Sequence, residues 1–319
     1  MKDVFVSIRG RVLLNAESLN MTESVGNYSK HRRVPVVLRE EEGSYSVYFV
    51  PAISGESIAH GLQQIISEKC KESNPPLPVC KLCGKGIFLK SSNAQIFKES
   101  FDLEASNQDV EKIIISKCTV EDIGGFLYAE KANVKRTSNF FTGYMIPTQE
   151  ALKNVVIEPQ LHSRYALGTK FVEDKGQMLY YVEVSSSVYT FSLDLDTRYV
   201  GKLTFNIENA GKPVISDDER ERRILVLLDA VKALLIENGF GAKKTRFLPI
   251  VDWESMVIAA SDKPWSVPSP ITRNYVERAR KKLEKVSYNT NLYVFEGGNF
   301  EAFVADTMDK IKLRVKGAT

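Results

Sequence analysis

The opening stretch constrains this chain most. Residues 3–14, DVFVSIRGRVLL, alternate: Val4, Val6, Ile8, Val12 and Leu14 fall on one side, and Phe5, Ser7, Arg9 and Arg11 on the other. A two-residue period belongs to a strand with one buried face. It predicts a sheet whose open face carries two arginines side by side. Elements further along do not restore the regular strand–helix alternation of a parallel α/β protein. Short strands at 34–39 and 45–50, long β-rich runs within 178–206, and strands at Phe247–Trp253 and Asn291–Glu296 sit among only a few helices. The pattern predicts an α+β protein. An antiparallel sheet with helices, built on a ferredoxin-like or RNA-recognition-motif-like core and decorated by insertions, fits it best.

The helices are announced by their caps. Ser54 precedes Gly55 and Glu56, and Ile58, Leu62, Ile65 and Ile66 follow at helical spacing, so a loop delivers the chain to a helix N-terminus with free backbone N–H groups. Ser216 and Glu219 form a capping box for a helix over Asp217–Asn238, which Asn238-Gly239 ends. Further helices are expected over Thr272–Val286 and Phe300–Leu313. The polar stretch Asn15–Arg33 reads as a loop ending in the basic cluster Lys30-His31-Arg32-Arg33. Residues 71–100, rich in Pro, Gly and Cys, read as an excursion from the core. The expected organisation is a core of 1–70 and 160–319 with an inserted portion at 71–159.

Of the 319 residues, 43% are apolar and 26% charged, enough to bury a core and too ordinary for a disordered or disulfide-built chain. The length allows one domain with large insertions or two domains. The formal charge is only +3, so nucleic-acid binding would require cations gathered on one surface. The longest apolar stretch, Ile224–Ile236, contains Asp229 and Lys232 and is too short to span a bilayer. With no signal-peptide pattern, a cytoplasmic protein without membrane contact is expected.

Four cysteines are present. Cys80 and Cys83 form a CxxC followed by Gly84, and zinc would need further ligands, for which Cys70 and Cys118 are available. No histidine lies nearby, and the residues favour a disulfide or free buried thiols over a metal; no cofactor is expected. His31, His60 and His162 are scattered, without the spacing of a metal site or catalytic triad. His162 stands out because Arg164 and Tyr165 follow it. The stretch Gly239-Phe240-Gly241-Ala242-Lys243-Lys244-Thr245-Arg246 is glycine-rich and basic but lacks the P-loop pattern. Lys131, Lys135 and Arg136 form another basic stretch, and Tyr28, Phe140, Phe141 and Tyr144 interleave with the cations. Cations for phosphates and aromatics for bases are how single-stranded RNA is held.

The runs SIRGRVLLNAESLN, GNYSKHRR, VPAISGESIAHGL, DIGGFLYA, VKRTSNFF and GFGAKKTRFLP occur in this order. With them the chain resembles the backbone subunit of CRISPR interference complexes. Within that group it is similar to the archaeal type I-A (Cascade) member of the RAMP superfamily, the DevR autoregulator-like family. The resemblance implies an RNA-recognition-like core with inserted subdomains, and copies stacked as a helical filament along one CRISPR RNA. A protruding segment would kink the guide at intervals, leaving the other bases to pair with target DNA. A second RAMP subunit and other Cascade subunits are implied partners. The family's RNA-binding stretches fall on Arg9, Asn20, Lys30, Arg32 and Arg33; on Ser54 and Ser57; on Lys135, Arg136 and Ser138; on His162; and on Lys243, Lys244 and Arg246. Related type III subunits cut RNA with an aspartate in the loop after the first strand. Here that stretch holds Glu17 and Glu23 but no Asp. The resemblance therefore implies a non-catalytic scaffold, with an RNA endonuclease as the alternative.

Overall fold

A computed structural model describes the chain except residues 90–93, 102, 104–106, 130–132, 165–177 and 318–319. Its elements are β1 (Phe5–Glu17), β2 (Met21–Val25), β3 (Tyr28–His31), β4 (Arg33–Arg39), β5 (Tyr45–Pro51), α1 (Gly55–Glu72), α2 (Ala94–Lys98), α3 (Asn107–Lys117), α4 (Thr119–Gly124), β6 (Phe126–Tyr128), β7 (Val134–Arg136), β8 (Phe140–Thr142), β9 (Val156–Arg164), β10 (Met178–Asp196), α5 (Asp217–Ile236), β11 (Ile250–Ser261), α6 (Tyr275–Leu283), β12 (Thr290–Phe295) and α7 (Phe300–Lys316). The main sheet runs β12-β11-β1-β10-β3-β2, and β8 and β9 also pair with β10. β1 is antiparallel to both β10 and β11, whereas β10 meets β3 in parallel. The stretch expected as an insertion thus returns to the main sheet at β8. No helix among the described residues is long and apolar enough to cross a membrane.

The two-residue period sorts the sheet's faces. Val6, Ile8, Val12 and Leu14 of β1 and Met256, Ile258 and Ala260 of β11 join one core with Ile58 and Leu62 of α1, Leu227 and Val231 of α5, and Val304 and Met308 of α7. Val257 and Ala259 point the opposite way, into a second cluster with Trp265, Val267, Tyr275 and Ala279. At β1 and β11 the sheet is therefore covered on both sides, and the expected open arginine face is corrected. Arg11 is 2% exposed, pairs with Glu150, donates from Nε to Glu254 (2.8 Å) and from Nη1 to the Pro270 carbonyl (3.3 Å). Arg9 makes a two-pronged contact with Asp194 at 2.7 and 2.9 Å. The cover is the segment leading into α6, whose Val267 N–H donates to Ser7 Oγ at 2.9 Å. Alternation here distinguishes an apolar buried face from a polar buried one.

The stretch Asn15–Arg33 is also not a loop. β1 continues to Glu17, and β2 and β3 pair as a hairpin. β2 is exposed along nearly its whole length, so its polar composition reflects solvent contact and not irregular backbone.

A buried ionic network joins the excursion to the core. Arg136, placed by the resemblance on RNA, is 3% exposed. Its guanidinium pairs with Asp122 and Glu111, and donates to the carbonyls of Asp122, Tyr199 and Lys202 at 2.8–2.9 Å. Asp122 also accepts from Arg223 Nη1 (2.8 Å) and from the Gly201 N–H (3.0 Å). Every donor is spoken for, so Arg136 is a structural residue. Lys135 beside it is exposed on β7; Lys131 lies outside the described residues. Removing one partner of a buried ion pair costs about 3–5 kcal/mol, because the other is left charged and dry. We expect Arg136→Ala to lose stability of that order in urea titration, with Lys135→Ala within about 0.5 kcal/mol of the parent; equal effects would show that the network is not structural.

Candidate nucleic-acid interface

The candidate interface is built at the N-terminus of α1. Ser54 caps the helix, its Oγ accepting from the Ser57 N–H at 3.3 Å. Ser54's own N–H donates to Asn20 Oδ1 at 2.8 Å. The Asn20 carbonyl accepts from the Arg32 N–H at 2.8 Å, and the Arg32 carbonyl accepts from the Ala52 N–H at 3.0 Å. The two residues that flank the β2–β3 hairpin are thus strapped to the helix start. Arg32 is half-buried, its Nε makes no hydrogen bond, and it has no carboxylate partner among the described residues.

The glycine-rich loop closes the other side. The Ala242 N–H donates to the Leu19 carbonyl at 2.8 Å, beside Asn20. Two glycines permit this approach. A Cβ on Gly61 of α1 would lie 2.2 Å from the Gly239 carbonyl oxygen, and one on Gly241 would lie 2.8 Å from the Leu19 side chain. Gly241 also has φ +88°, which favours glycine. Between loop and helix lies a groove of about 640 Å³ lined by Asn20, Met21, Ser57, His60, Gln64 and Lys244, with Glu68 also on its wall. Lys244 is half-buried and donates to the Asn238 carbonyl at 2.6 Å; burial pulls its pKa below the usual lysine range. Lys243 and Arg246 are exposed on the same loop.

His162 joins this edge. It stacks on Tyr180 across the β9–β10 pair at 5.1 Å and meets Phe247, the residue after Arg246, edge-on at 5.3 Å. Its Nε2 is buried without a hydrogen-bond partner among the described residues. Tyr165 lies outside the described residues, as does the Arg164 side chain.

The remaining expected site residues lie elsewhere. Lys30 pairs with Glu23 (3.3 Å), and Arg33 with Glu183 (2.8 Å), in a neighbouring groove of about 610 Å³ on the β2–β3 hairpin. Ser138 lines a different recess with Phe141 and Tyr199. Phe140 is buried at 4%, so it offers no stacking surface, whereas Phe141 and Tyr144 are exposed. The cations therefore divide in two. Arg9, Lys30, Arg33 and Arg136 are matched by carboxylates, while Arg32, Lys135, Lys243, Lys244 and Arg246 have none among the described residues. His60 and Gln64 had not been singled out. Their signal was the spacing Ser57, His60, Gly61, Gln64, Glu68, which marks one face of a helix. All four cysteines are reduced and buried; Cys118 joins Cys80 and Cys83, but Cys70 does not.

The family model described as CRISPR-associated negative auto-regulator DevR/Csa2 matches residues 8–280. The chain belongs to the DevR/Csa2 family. It is 38% identical over 297 residues to the CRISPR-associated protein Cas7/Csa2 1 of Saccharolobus solfataricus, covering 92% of this chain and 89% of that one. A second protein of that organism, the CRISPR-associated aCascade subunit Cas7/Csa2 2, is 36% identical over 86% of this chain and 85% of its own length. The CRISPR-associated protein Cas7/Cst2/DevR of Methanocaldococcus jannaschii is 29% identical, covering 90% and 94%. Among solved structures, chains of a CRISPR RNA-guided surveillance complex share the fold at TM-score 0.52, covering 96% of this chain and 99% of theirs, with 9% and 11% identity.

One titratable pair of this DevR/Csa2 chain underlies the interface. His31 is buried, with Nε2 2.7 Å from Glu17 Oε1 and Nδ1 2.9 Å from the Arg32 carbonyl. Burial pulls its pKa down, but the Glu17 hydrogen bond and charge outweigh it, and the net shift is upward from 6.5. A raised folded pKa stabilises fully below the unfolded value and is lost as pH rises through the folded one. We expect the melting-temperature difference between the parent and His31→Gln to be largest below pH 6.5 and to shrink on alkaline titration. A difference that grows with pH would contradict the pairing.

Proposed function

We propose that this chain is a CRISPR-RNA-binding backbone subunit of a Cascade complex, and that it holds the guide without cutting it. The observation that carries this reading is the groove between the α1 N-terminus and the glycine-rich loop. There the helix start, Asn20, Ser57 and Lys244 converge, with Arg32 strapped to the same turn and Arg246 on the same loop. Backbone N–H groups and cations suit phosphates, and amides and imidazoles suit base edges or sugar hydroxyls. The family supports the assignment, since one relative is named as an aCascade subunit.

The finer parts of the proposal follow. Copies of the chain line one CRISPR RNA as a helical filament and present it to target DNA, alongside a second RAMP subunit and other Cascade subunits. Strand β9, paired with β10 and carrying the exposed Val156 and Leu161, would serve as the protruding segment that kinks the guide. The scaffold reading draws on the two glutamates near the first strand. Glu17 is fully buried and held by His31, Tyr189 and the Leu19 N–H, while Glu23 is on the surface beside Lys30. Neither lines the groove beside α1; Glu23 lines the neighbouring one on the β2–β3 hairpin.

The test is RNA binding by fluorescence anisotropy over a salt series. Binding should weaken by about 0.7 log units per log unit of salt for each phosphate neutralised. The double substitution Lys244→Glu, Arg246→Glu should weaken binding across all sequences alike and flatten that slope, whereas Lys281→Glu on α6 should change neither. Labelled RNA should stay intact with magnesium. Binding indifferent to the groove substitutions would overturn the site, and cleavage would replace the scaffold with an endonuclease.

A further inference from the structure

Three cysteines separated by up to 38 positions meet inside the protein. The Sγ atoms of Cys80, Cys83 and Cys118 all lie within 4.8 Å of one another, and all three residues are buried. Tetrahedral zinc with Zn–S bonds of about 2.3 Å holds its sulfurs about 3.8 Å apart, so the cluster is already near that size. The backbone around it is that of a metal knuckle. The Cys83 N–H points to Cys80 Sγ at 3.4 Å, and the Cys80 N–H to Cys118 Sγ at 3.3 Å. Gly84 donates to the Cys80 carbonyl at 2.9 Å, and Gly86 turns the chain with φ +77°.

A fourth donor stands beside one of the three sulfurs. Glu121 follows Cys118 by three residues, so the two lie on one face across the first turn of α4. Glu121 is fully buried, and its Oε1 lies 2.9 Å from Cys83 Sγ and accepts the Leu89 N–H at 3.1 Å. A carboxylate buried against Cys83 at the edge of a three-sulfur cluster is a poor arrangement for an uncharged core and a good one for a divalent cation.

We propose that Cys80, Cys83, Cys118 and Glu121 bind one structural zinc ion. On binding, the three thiol protons leave to solvent and three Zn–S bonds form, with the Glu121 carboxylate closing the tetrahedron. No change of oxidation state is involved. The two N–H···S contacts and the Leu89 N–H offset the excess negative charge of this ligand set. All four positions are filled by protein, so the site is closed and holds structure without catalysing. It clamps the knuckle onto α4, which carries Asp122 of the ionic network, and onto α1, whose Ser67 Oγ donates to the Cys83 carbonyl at 3.2 Å.

The experiment uses the full chain purified from zinc-containing medium and dialysed against metal-free buffer. Elemental analysis should find about one zinc per chain, as for a closed structural site. Removing it with a strong chelator under reducing conditions should lower the melting temperature, and zinc should restore it. Cobalt(II) in place of zinc should give the thiolate-to-cobalt charge-transfer band and intense visible bands of a tetrahedral thiolate site. Cys70→Ser should keep the metal, Cys118→Ser should lose it, and Glu121→Gln should shift the cobalt spectrum and weaken retention against chelator. The native-chain measurements need no variant, so misfolding of Cys118→Ser leaves the test intact. Zinc-free, fully folded protein with three free thiols, or a disulfide within the cluster on non-reducing mass spectrometry, would overturn the proposal. An unchanged cobalt spectrum in Glu121→Gln would remove Glu121 as the fourth ligand.

Discussion

The demand of buried guanidinium groups for partners organises this molecule. A guanidinium has five N–H donors in a rigid fork and cannot be deprotonated, so once dry it must be met donor by donor. Arg136, Arg223 and Arg220 are all buried, and each recruits carboxylates or carbonyls from distant segments. Arg136 draws in Glu111 of α3, Asp122 of α4 and the carbonyls of Tyr199 and Lys202. Arg223 reaches from α5 to the same Asp122 and to the Ile115 carbonyl. Arg220 ties α5 to the chain's start through Asp3, and to the Val200 and Thr197 carbonyls. The excursion between α1 and β8 is fastened by directional contacts as well as by apolar packing, so its orientation against the main sheet is specified.

That fastening explains how a nearly neutral chain can offer cations at one place. Most arginines near the sheet are consumed by structure: Arg9 by Asp194, Arg11 by Glu254, Arg314 by Asp262. Among the described residues, Arg32 and the loop cations Lys243, Lys244 and Arg246 have no carboxylate partner. Net charge therefore says little here. What matters is which positive charges the fold has already neutralised; of those left, Lys244 lines the groove beside α1, Lys243 and Arg246 lie on its loop, and Arg32 is strapped to the helix start.

Whatever could be decided within one turn of chain was legible in the sequence. The Ser54 cap, the α1 stripe, the Ser216 cap and the period of β1 stand as read, because caps and periodicity are local, whereas the Glu219 carboxylate expected to complete a capping box turns to Arg223 instead. The readings that failed needed distant partners. Nothing near Arg136 shows that Asp122 and Glu111 wait fourteen and twenty-five positions upstream. The residues flanking Arg11 likewise do not reveal that the segment before α6 will cover it. Polar β2 resembled a loop because an exposed strand and a loop share composition. In the candidate site, Asn20, Ser57 and Lys244 were found, whereas His60 and Gln64 were visible only as a helical face, and only once that face was known to meet the glycine-rich loop.

Helix α1 links these separate features. One side packs into the core through Ile58, Leu62 and Ile66 and touches α4 where Gly124 leaves room for Gln63; a Cβ there would lie 2.3 Å from Gln63 Nε2. The opposite side, one residue on at Gln64 and one turn back at His60, lines the groove. Further along, Ser67 and Lys71 hydrogen-bond the Cys83 and Gly84 carbonyls of the knuckle. A helix of this length is stiff, so the anchorage of its far half adds to the direct contacts of Ser54 and Gly55 in fixing where its N-terminus lies. The buried ions, the glycine contacts and the cysteine knuckle all bear on that anchorage. The knuckle and Asp122 thus bear on the same helix whose start borders the groove, although neither touches what the groove holds.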